Sequence, residues 1–367
     1  MKKETVDNDP RITAVIVNHN GGKKILRTIK SLTGQTLPVK ILVVDNGSSD
    51  GSTDRIRKHF PDVLILPVET NTGYCHGANS GLFAVRTRYA LLVDQDILCG
   101  KGMAEALYGC ALAHEGCYAV QARIMSEKEP GRVLTCGRQY SAFGRAYDLK
   151  SRGAKHVFSP TGAALYSMKA LEEIGLFDER HFGGLHEVDL GYRALLLSGR
   201  SAVYEDRAVG RRQDLDGEPS SEGSRKTLDA GNNLYLLYKN MPKGQQILNA
   251  PFLGAGRLFE ELSGEGKKFR EETRRGKERG RYLIARSAGS DLMRSEGSSV
   301  TKGTLEEETG LETSDQRFAD IYPLYLGGRI YFSPDLCGNA VRVQKRLVEA
   351  CPGALREALE GKKEGKV

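Results

Sequence analysis

Two carboxylates one residue apart, Asp94 and Asp96 with Gln95 between them, follow an apolar run at residues 88–93 that has strand character and stops abruptly at the first acid. Side chains alternate along an extended segment, so positions 94 and 96 share one side of the chain. Such a pair presents hard oxygen ligands to Mg2+ or Mn2+, an ion that a diphosphate-bearing substrate would hold from its other side. A strand-end turn also favours Asp, so the D-Q-D spacing gains its meaning from what surrounds it. Another carboxylate, Asp45, closes the strand-like run 39–44 and is followed by Asn46, Gly47, Ser48 and Ser49. An acid held there can accept the ring N–H of uracil or thymine and reject bases without that donor. Gly47 lets the backbone approach a ribose. The other role open to Asp45 is an Asx-turn or a helix cap.

The elements that must position these groups alternate in type. Residues 12–17 form a buried-type strand that breaks at N-H-N-G-G (18–22), and a helix spans residues 23–33. A strand at 39–44, a helix at 52–58, a strand at 63–66, a glycine-bearing segment at 71–79, a helix to residue 85 and the strand into Asp94 follow. This order indicates an α/β fold with a mainly parallel sheet and helices on both faces. Ligands bind such sheets outside the carboxyl ends of the strands, so the loops after Val17, Val44, Leu66 and Val93 are expected on one edge. Gly73, Gly77 and Gly81 resemble a phosphate-cradling loop, but they do not follow a strand with dinucleotide-fold spacing, which disfavours an NAD site.

The chain has 367 residues, 39% of them hydrophobic, and a net charge of +7. That length suggests one domain of about 250 residues plus an appendage. Seven cysteines at positions 75, 99, 110, 117, 136, 337 and 351 are odd in number, scattered and free of C-x-x-C spacing. They suggest neither a disulfide frame nor a zinc site, and a reducing cytoplasm fits them best. No apolar h-region follows Met1, and no stretch reaches the roughly 18 apolar residues of a spanning helix, so neither export nor membrane insertion is expected. Histidines 19, 59, 76, 114, 156 and 181 show no shared metal-ligand spacing.

Four ordered segments, V-I-V-N-H-N-G (15–21), V-V-D-N-G-S-S-D-G-S (43–52), N-T-G-Y-C-H-G-A-N-S-G (71–81) and L-L-V-D-Q-D (91–96), resemble the family 2 glycosyltransferases. The D-Q-D version is similar to their bacterial rhamnosyltransferase branch. The resemblance covers residues 11–245 and implies the GT-A fold, one α/β domain with a nucleoside-diphosphate sugar in its N-terminal half and the acceptor in its C-terminal half. It implies that Asn18, Asp45, Asn46, Gly47, Asn71, Gly73, Asn79, Asp94 and Gln95 bind the nucleotide sugar, with Asp96 on the metal. His19 stands where relatives often have Tyr, which suggests packing or donor lining. Residues 159–166 and 170–180 resemble the family's acceptor-side strand, helix and turn, and bring in Thr161 and Gly162. Where relatives read E-D-V-D-L, this chain has His186, Glu187, Val188, Asp189 and Leu190. The family's catalytic base therefore falls on Glu187, one methylene longer than the usual Asp, and a displacement on that scale can cost substantial rate. Displacing a nucleoside diphosphate from a sugar carbon needs an activated hydroxyl, for which a general base supplies about 10²–10⁴-fold. It also needs the leaving group's charge neutralised, which a divalent cation can do. An imidazolium at His186 would lower the pKa of Glu187. Asp189, also on the acceptor side, reads as the cap of a helix beginning near Leu190.

The family commonly carries a histidine that completes the metal site, but residues 205–213 contain none, and Arg211 or Arg212 falls near that place. Arginine cannot ligate a cation but can clamp a diphosphate through two hydrogen bonds. The leaving group's charge is thus expected to be shared between a metal at Asp96 and this pair. Residues 214–224 read as a lid over the donor or as a surface loop. Residues 228–242 read as a helix that closes the domain, with Leu234, Leu237 and Tyr238 toward the core. A segment at 246–286 follows, and between 265 and 286 nine Lys or Arg face four Glu, a basic helix suited to anionic lipid or simply solvated. Residues 287–314 read as a flexible linker and 315–367 as a small C-terminal segment, with residues 1–10 an N-terminal tail. The expected activity is that of an inverting, metal-dependent glycosyltransferase using Mg2+ or Mn2+. It would move a sugar from a UDP- or dTDP-sugar, dTDP-rhamnose among them, to a hydroxyl of a glycan or lipid-linked glycan in surface polysaccharide synthesis. It would work in the cytoplasm, peripheral to the inner face of the membrane, with no nucleic acid as partner. The alternatives are an inactive GT-A scaffold subunit and a sugar-nucleotide nucleotidyltransferase. The latter would carry a glycine-rich basic loop after the first strand, of which N-H-N-G-G-K-K (18–24) is a poor version.

Overall fold

The computed structural model describes residues 11–140, 146–150, 156–179, 181, 184–213, 236, 240 and 250–255. The N-terminal tail, the expected lid, the extension at 246–286 apart from residues 250–255, the linker and the C-terminal segment lie outside these residues, as does most of the helix expected at 228–242. In chain order the elements are β1 (Ile12–Asn18), α1 (Lys24–Thr33), β2 (Lys40–Asn46), α2 (Ser52–His59), β3 (Leu64–Val68), α3 (Tyr74–Ala84), β4 (Tyr89–Val93), β5 (Ile97–Cys99) and α4 (Met103–Ala113). They continue with β6 (Ala119–Ser126), β7 (Val133–Thr135), β8 (Arg138–Tyr140), β9 (Ala146–Asp148), β10 (His156–Val157), β11 (Ala163–Ser167), α5 (Met168–Ile174), α6 (His186–Ser198) and β12 (Ala202–Arg212).

The main sheet runs β10-β12-β6-β11-β4-β1-β2-β3, with β5 paired to β12 and β7 to β6, while β8 and β9 form a separate ribbon. Pairing is parallel from β4 through β1 and β2 to β3 and again between β6 and β12, and β11 runs antiparallel to both β4 and β6. The central strands are apolar on both faces because both faces are covered. Along β1, Ile12, Ala14 and Ile16 pack with Ile25, Ile29 and Leu32 of α1, Ile56 of α2 and Leu107 of α4. The alternate residues Val15 and Val17 pack with Ala78 and Leu82 of α3, Leu171 of α5 and Leu190 of α6. Each large aliphatic side chain buried this way contributes about 1.5–3 kcal/mol.

Two glycines of α3 belong to this packing rather than to a phosphate cradle. A Cβ on Gly81 would lie 2.4 Å from Val15 Cγ1, and one on Gly77 2.8 Å from Val17 Cγ1. Their spacing of four puts both on the helix face that lies against β1. The mainly parallel α/β arrangement thus brings the carboxyl ends of β1, β2 and β4 to one edge, with Asn18 directly across from Asp45.

Candidate active site

The loops at this edge are held by side-chain amides. Asn18, fully buried, donates to the Ser48 and Ser52 hydroxyls at 3.1 and 3.0 Å and accepts from the Gly21 N–H. Asn46 donates to Asn71 Oδ1 and the Gly73 carbonyl and accepts from the N–H and hydroxyl of Thr72. Gln95 holds the His19 backbone from both sides, accepting from its N–H at 3.0 Å and donating to its carbonyl at 3.3 Å. His19 in turn places Nδ1 3.0 Å from the Asn46 carbonyl. Gly47 has φ +70°, and a Cβ there would strike the backbone of residues 70 and 71 at 2.7 Å. Asp45, half-buried, accepts from the Ser48 N–H at 3.2 Å. Asn18, Asn46, Asn71 and Gln95 therefore hold these loops together, with Asp45 beside them.

Asn79 departs from the expectation of nucleotide binding. Its side chain accepts from the Phe177 N–H and donates to the Phe177 carbonyl and to Glu179, which uses its hydrogen-bonding capacity to brace the turn after α5.

The acid pair sits where β4 ends. The Asp94 N–H donates to the Gly162 carbonyl at 2.8 Å, and the Asp94 carboxylate accepts from Arg212 Nη2 at 2.7 Å. Arg212 Nε lies 3.8 Å from Asp96 Oδ1, and neither of these two buried atoms has a hydrogen-bond partner among the described residues. Register explains the meeting: β12 pairs antiparallel with β5 so that Arg212 faces Ile97, and the Gln213 N–H donates to the Asp96 carbonyl. Arg211, one residue earlier on the strand, points to the opposite side and is exposed, so the two arginines do not act as a pair here. Gly162, at φ +75°, takes a backbone conformation that strains other residues, and a Cβ there would lie 3.2 Å from Ile124 Cγ1 and 3.4 Å from Arg212 Nη2. Burial works against the charge of Arg212, but Asp94 and Asp96 outweigh it and raise its pKa further.

At the other end of the site α6 begins at His186, after Leu185, a buried residue turned to φ +62°. Non-glycine residues enter that region only where surrounding packing imposes it. Glu187 thus lies in the helix's first turn, where the helix dipole favours a negative charge. Its Oε1 accepts from the Thr161 hydroxyl at 3.4 Å, and its Oε2 lies 3.5 Å from His186 Nε2 and 3.6 Å from Arg138 Nη1. Thr161 is fixed by buried Gln121, which accepts from its N–H at 2.6 Å and donates to its carbonyl at 3.0 Å. Arg138, on β8, also donates to Asp148. Neither Gln121 nor Arg138 was apparent from the sequence, because neither lies in a chemically patterned segment. Tyr74 links the two ends: burial and then the charges of Asp94 and Glu187 push its pKa well up, so the phenol keeps its proton. Its ring lies 4.9 Å from that of His186.

Asp189 does not cap a helix near Leu190. The helix starts four residues earlier than that, and Asp189 is fully buried inside it, accepting from Arg193 Nε at 2.9 Å and Asn240 Nδ2 at 2.6 Å. Arg193 in turn donates to the carbonyls of Ile174, Gly175 and Leu176. Asp178, His181 and Asp189 bring possible ligand atoms within 4.8 Å of one another. With both Asp189 oxygens engaged by Arg193 and Asn240, the cluster reads as a buried charge network that ties α6 to the turn before it.

Residues 13–175 match the family model described as glycosyl transferase family 2. The chain is 28% identical over 206 residues to a pre-mycofactocin glycosyltransferase of Mycobacterium tuberculosis, a match covering 54% of this chain and 42% of that protein. It is 26% identical over 227 residues to an N-acetylglucosaminyl-diphospho-decaprenol L-rhamnosyltransferase of the same organism, covering 53% of this chain and 73% of the relative. The first of these relatives is therefore matched over less than half its length. Among solved structures, GalNAc-T7 with UDP, GalNAc and Mn2+ superposes with a TM-score of 0.54 at 14% identity, covering 76% of this chain and 58% of that one. The family 2 glycosyltransferase match spans residues 13–175, less than half of the chain, and the described residues have the GT-A fold.

Proposed function

We propose that this chain is an inverting glycosyltransferase that moves a sugar from a UDP- or dTDP-sugar to a hydroxyl of a glycan or lipid-linked glycan in surface polysaccharide synthesis. The observation that carries the reading is the pairing of an acid pair held by an arginine, Asp94 and Asp96 with Arg212, with a separate buried carboxylate, Glu187, at the head of α6. In this reading Glu187 accepts the proton of the acceptor hydroxyl as that oxygen attacks the sugar carbon. Thr161, Arg138 and His186 hold the carboxylate for that task. Arg212 offers the departing diphosphate a permanent positive charge. Asp45 meets the base, and Asn18, Asn46, Gly47, Asn71, Gly73 and Gln95 keep its loop open. Asp96 Oδ1, buried and without a hydrogen-bond partner among the described residues, fits a divalent cation, Mg2+ or Mn2+. Bound there, the ion would supply further charge stabilisation to the leaving group.

The L-rhamnosyltransferase among the relatives supports a deoxysugar donor such as dTDP-rhamnose, and its lipid-linked glycan supports an acceptor of that class. No helix among the described residues is long and apolar enough to cross a membrane. A peripheral contact through 265–286 would bring the site to a lipid-linked acceptor. The test is incubation of the full chain with a panel of nucleotide sugars and Mn2+, reading the released product. Nucleoside diphosphate release that accelerates with glycan acceptor is expected; nucleoside triphosphate and sugar 1-phosphate formed only when pyrophosphate is added would indicate nucleotidyl transfer, and neither reaction an inactive scaffold.

A further inference from the structure

We infer that Arg212 is the resident cation of the Asp94 and Asp96 pair, and that it competes with a divalent ion for these carboxylates, so that ion binding frees the guanidinium for a diphosphate. Only the word diphosphate rests on the glycosyl-transfer reading; the competition rests on the geometry. Two carboxylates at the end of one strand repel each other, and a guanidinium 2.7 Å from one and 3.8 Å from the other relieves that repulsion with no ligand bound. The contact is half closed. Nη2 is bonded to Asp94, whereas Nε faces Asp96 Oδ1 too far away to bond, and both atoms are buried without a hydrogen-bond partner among the described residues. Each thus retains a capacity of its own, Asp96 Oδ1 for a cation and Arg212 Nε for an anion. One cation on the acids and one phosphate oxygen on the guanidinium would satisfy both atoms.

The place of Arg212 is also built rather than incidental. The antiparallel pairing of β12 with β5 sets it opposite the residue after Asp96, and the Asp94 N–H is tied to the carbonyl of Gly162, whose Cβ position would lie 3.4 Å from Nη2. A cation that reaches the same oxygens meets a positive charge already there, in a partly buried site where such repulsion is poorly screened. Ion affinity in the free protein is therefore held down by Arg212, and a nucleoside diphosphate, by drawing the guanidinium away, raises it.

Mn2+ alone, titrated by electron paramagnetic resonance against the full chain, reads this directly. Arg212→Ala is expected to bind Mn2+ on the order of tenfold more tightly than the unaltered protein, and Arg212→Lys, which keeps the charge, to bind as the unaltered protein does. UDP is expected to tighten Mn2+ binding more in the unaltered protein than in Arg212→Ala. Adding Asp96→Asn to Arg212→Ala should abolish the gain, and its persistence would place the ion elsewhere and overturn the inference. Equal Mn2+ affinity with and without Arg212, or its loss in an Arg212→Ala protein that still melts cooperatively, would also overturn it. Should Arg212→Ala fail to fold, Arg212→Gln carries the same comparison. A gain in Mn2+ affinity without turnover of any nucleotide sugar would uphold the competition and sink the transferase reading, and the converse result would do the reverse.

Discussion

As the proposed base, Glu187 carries one methylene more than the aspartate that the family resemblance leads one to expect. Thr161 meets Oε1 at 3.4 Å, while His186 and Arg138 stand 3.5 and 3.6 Å from Oε2. Shortening the side chain would withdraw the carboxylate from these groups and from the acceptor oxygen by about one bond length, a misplacement that can cost about 10²-fold. Glu187→Asp is therefore expected to lower kcat markedly although it restores the common residue. Glu187→Gln, equal in size and uncharged, should lower kcat by about 10²–10⁴-fold with a much smaller change in donor KM. Steady-state kinetics with the donor found in the product-release assay gives both numbers. A Glu187→Gln enzyme that kept most of its kcat would remove Glu187 as the base. The position of this carboxylate was legible in H-E-V-D-L, because a motif fixes a residue's place in the chain. Its neighbour Arg138 was not, because it reaches Glu187 from β8 across 49 residues of chain, and neither was Gln121, which holds Thr161 from β6 across 40.

Helix α3 shows how an element sets the site without touching chemistry. Its glycines let it lie close against β1, and Asn79 from the same helix ties down the turn after α5. A methyl group on Gly81 would sit 2.4 Å from Val15 Cγ1 and 2.9 Å from Val44 Cγ2, on strands that cannot yield without disturbing the loops that follow them. Gly81→Ala is expected to destabilise the fold by about 1–3 kcal/mol. Gly109 in α4 is also helical but has nothing within 4 Å of its Cβ position, so Gly109→Ala should stabilise by about 0.5–1 kcal/mol. Urea denaturation of the two variants should therefore give shifts of opposite sign, and equal shifts would show that helix propensity rather than packing decides both. The same contrast marks what the sequence carried. The runs at 12–17 and 39–44 announce β1 and β2 because burial on both faces leaves a continuous apolar string. Gly77 and Gly81 looked like a phosphate loop because a glycine's neighbour across space is not written beside it. The choice between Arg211 and Arg212 likewise awaited the pairing of β12 with β5, and the true start of α6 awaited the left-handed turn at Leu185.

At the scale of the whole molecule, a few ionic contacts titrate in opposite directions. Burial pushes Asp50 up, but hydrogen bonds from Ser52 and Gly22, with Arg55 nearby, bring it below its ordinary 3.8. Hydrogen bonding by Arg207 brings Glu205 below 4.5 despite burial. Both folded values are depressed, so their stabilisation is present above the ordinary values and is lost as pH falls through the folded ones. His76 on α3 behaves oppositely. Its Nδ1 lies 3.1 Å from Glu179, and that hydrogen bond outweighs burial and raises its pKa above 6.5. Its contribution is therefore complete below 6.5 and is lost as pH rises through the folded value. Because Glu179 is also held by Asn79, this pair fastens α3 to the turn after α5. His76→Gln keeps a hydrogen bond to Glu179 within reach but carries no charge. Thermal melts of the two proteins from about pH 5 to about pH 9 should show the unaltered protein more stable at the acid end. That advantage should shrink as pH rises through the folded value of His76. A difference that stayed constant across the range would mean that His76 is not charged in the fold, and that it joins α3 to that turn by the neutral hydrogen bond alone.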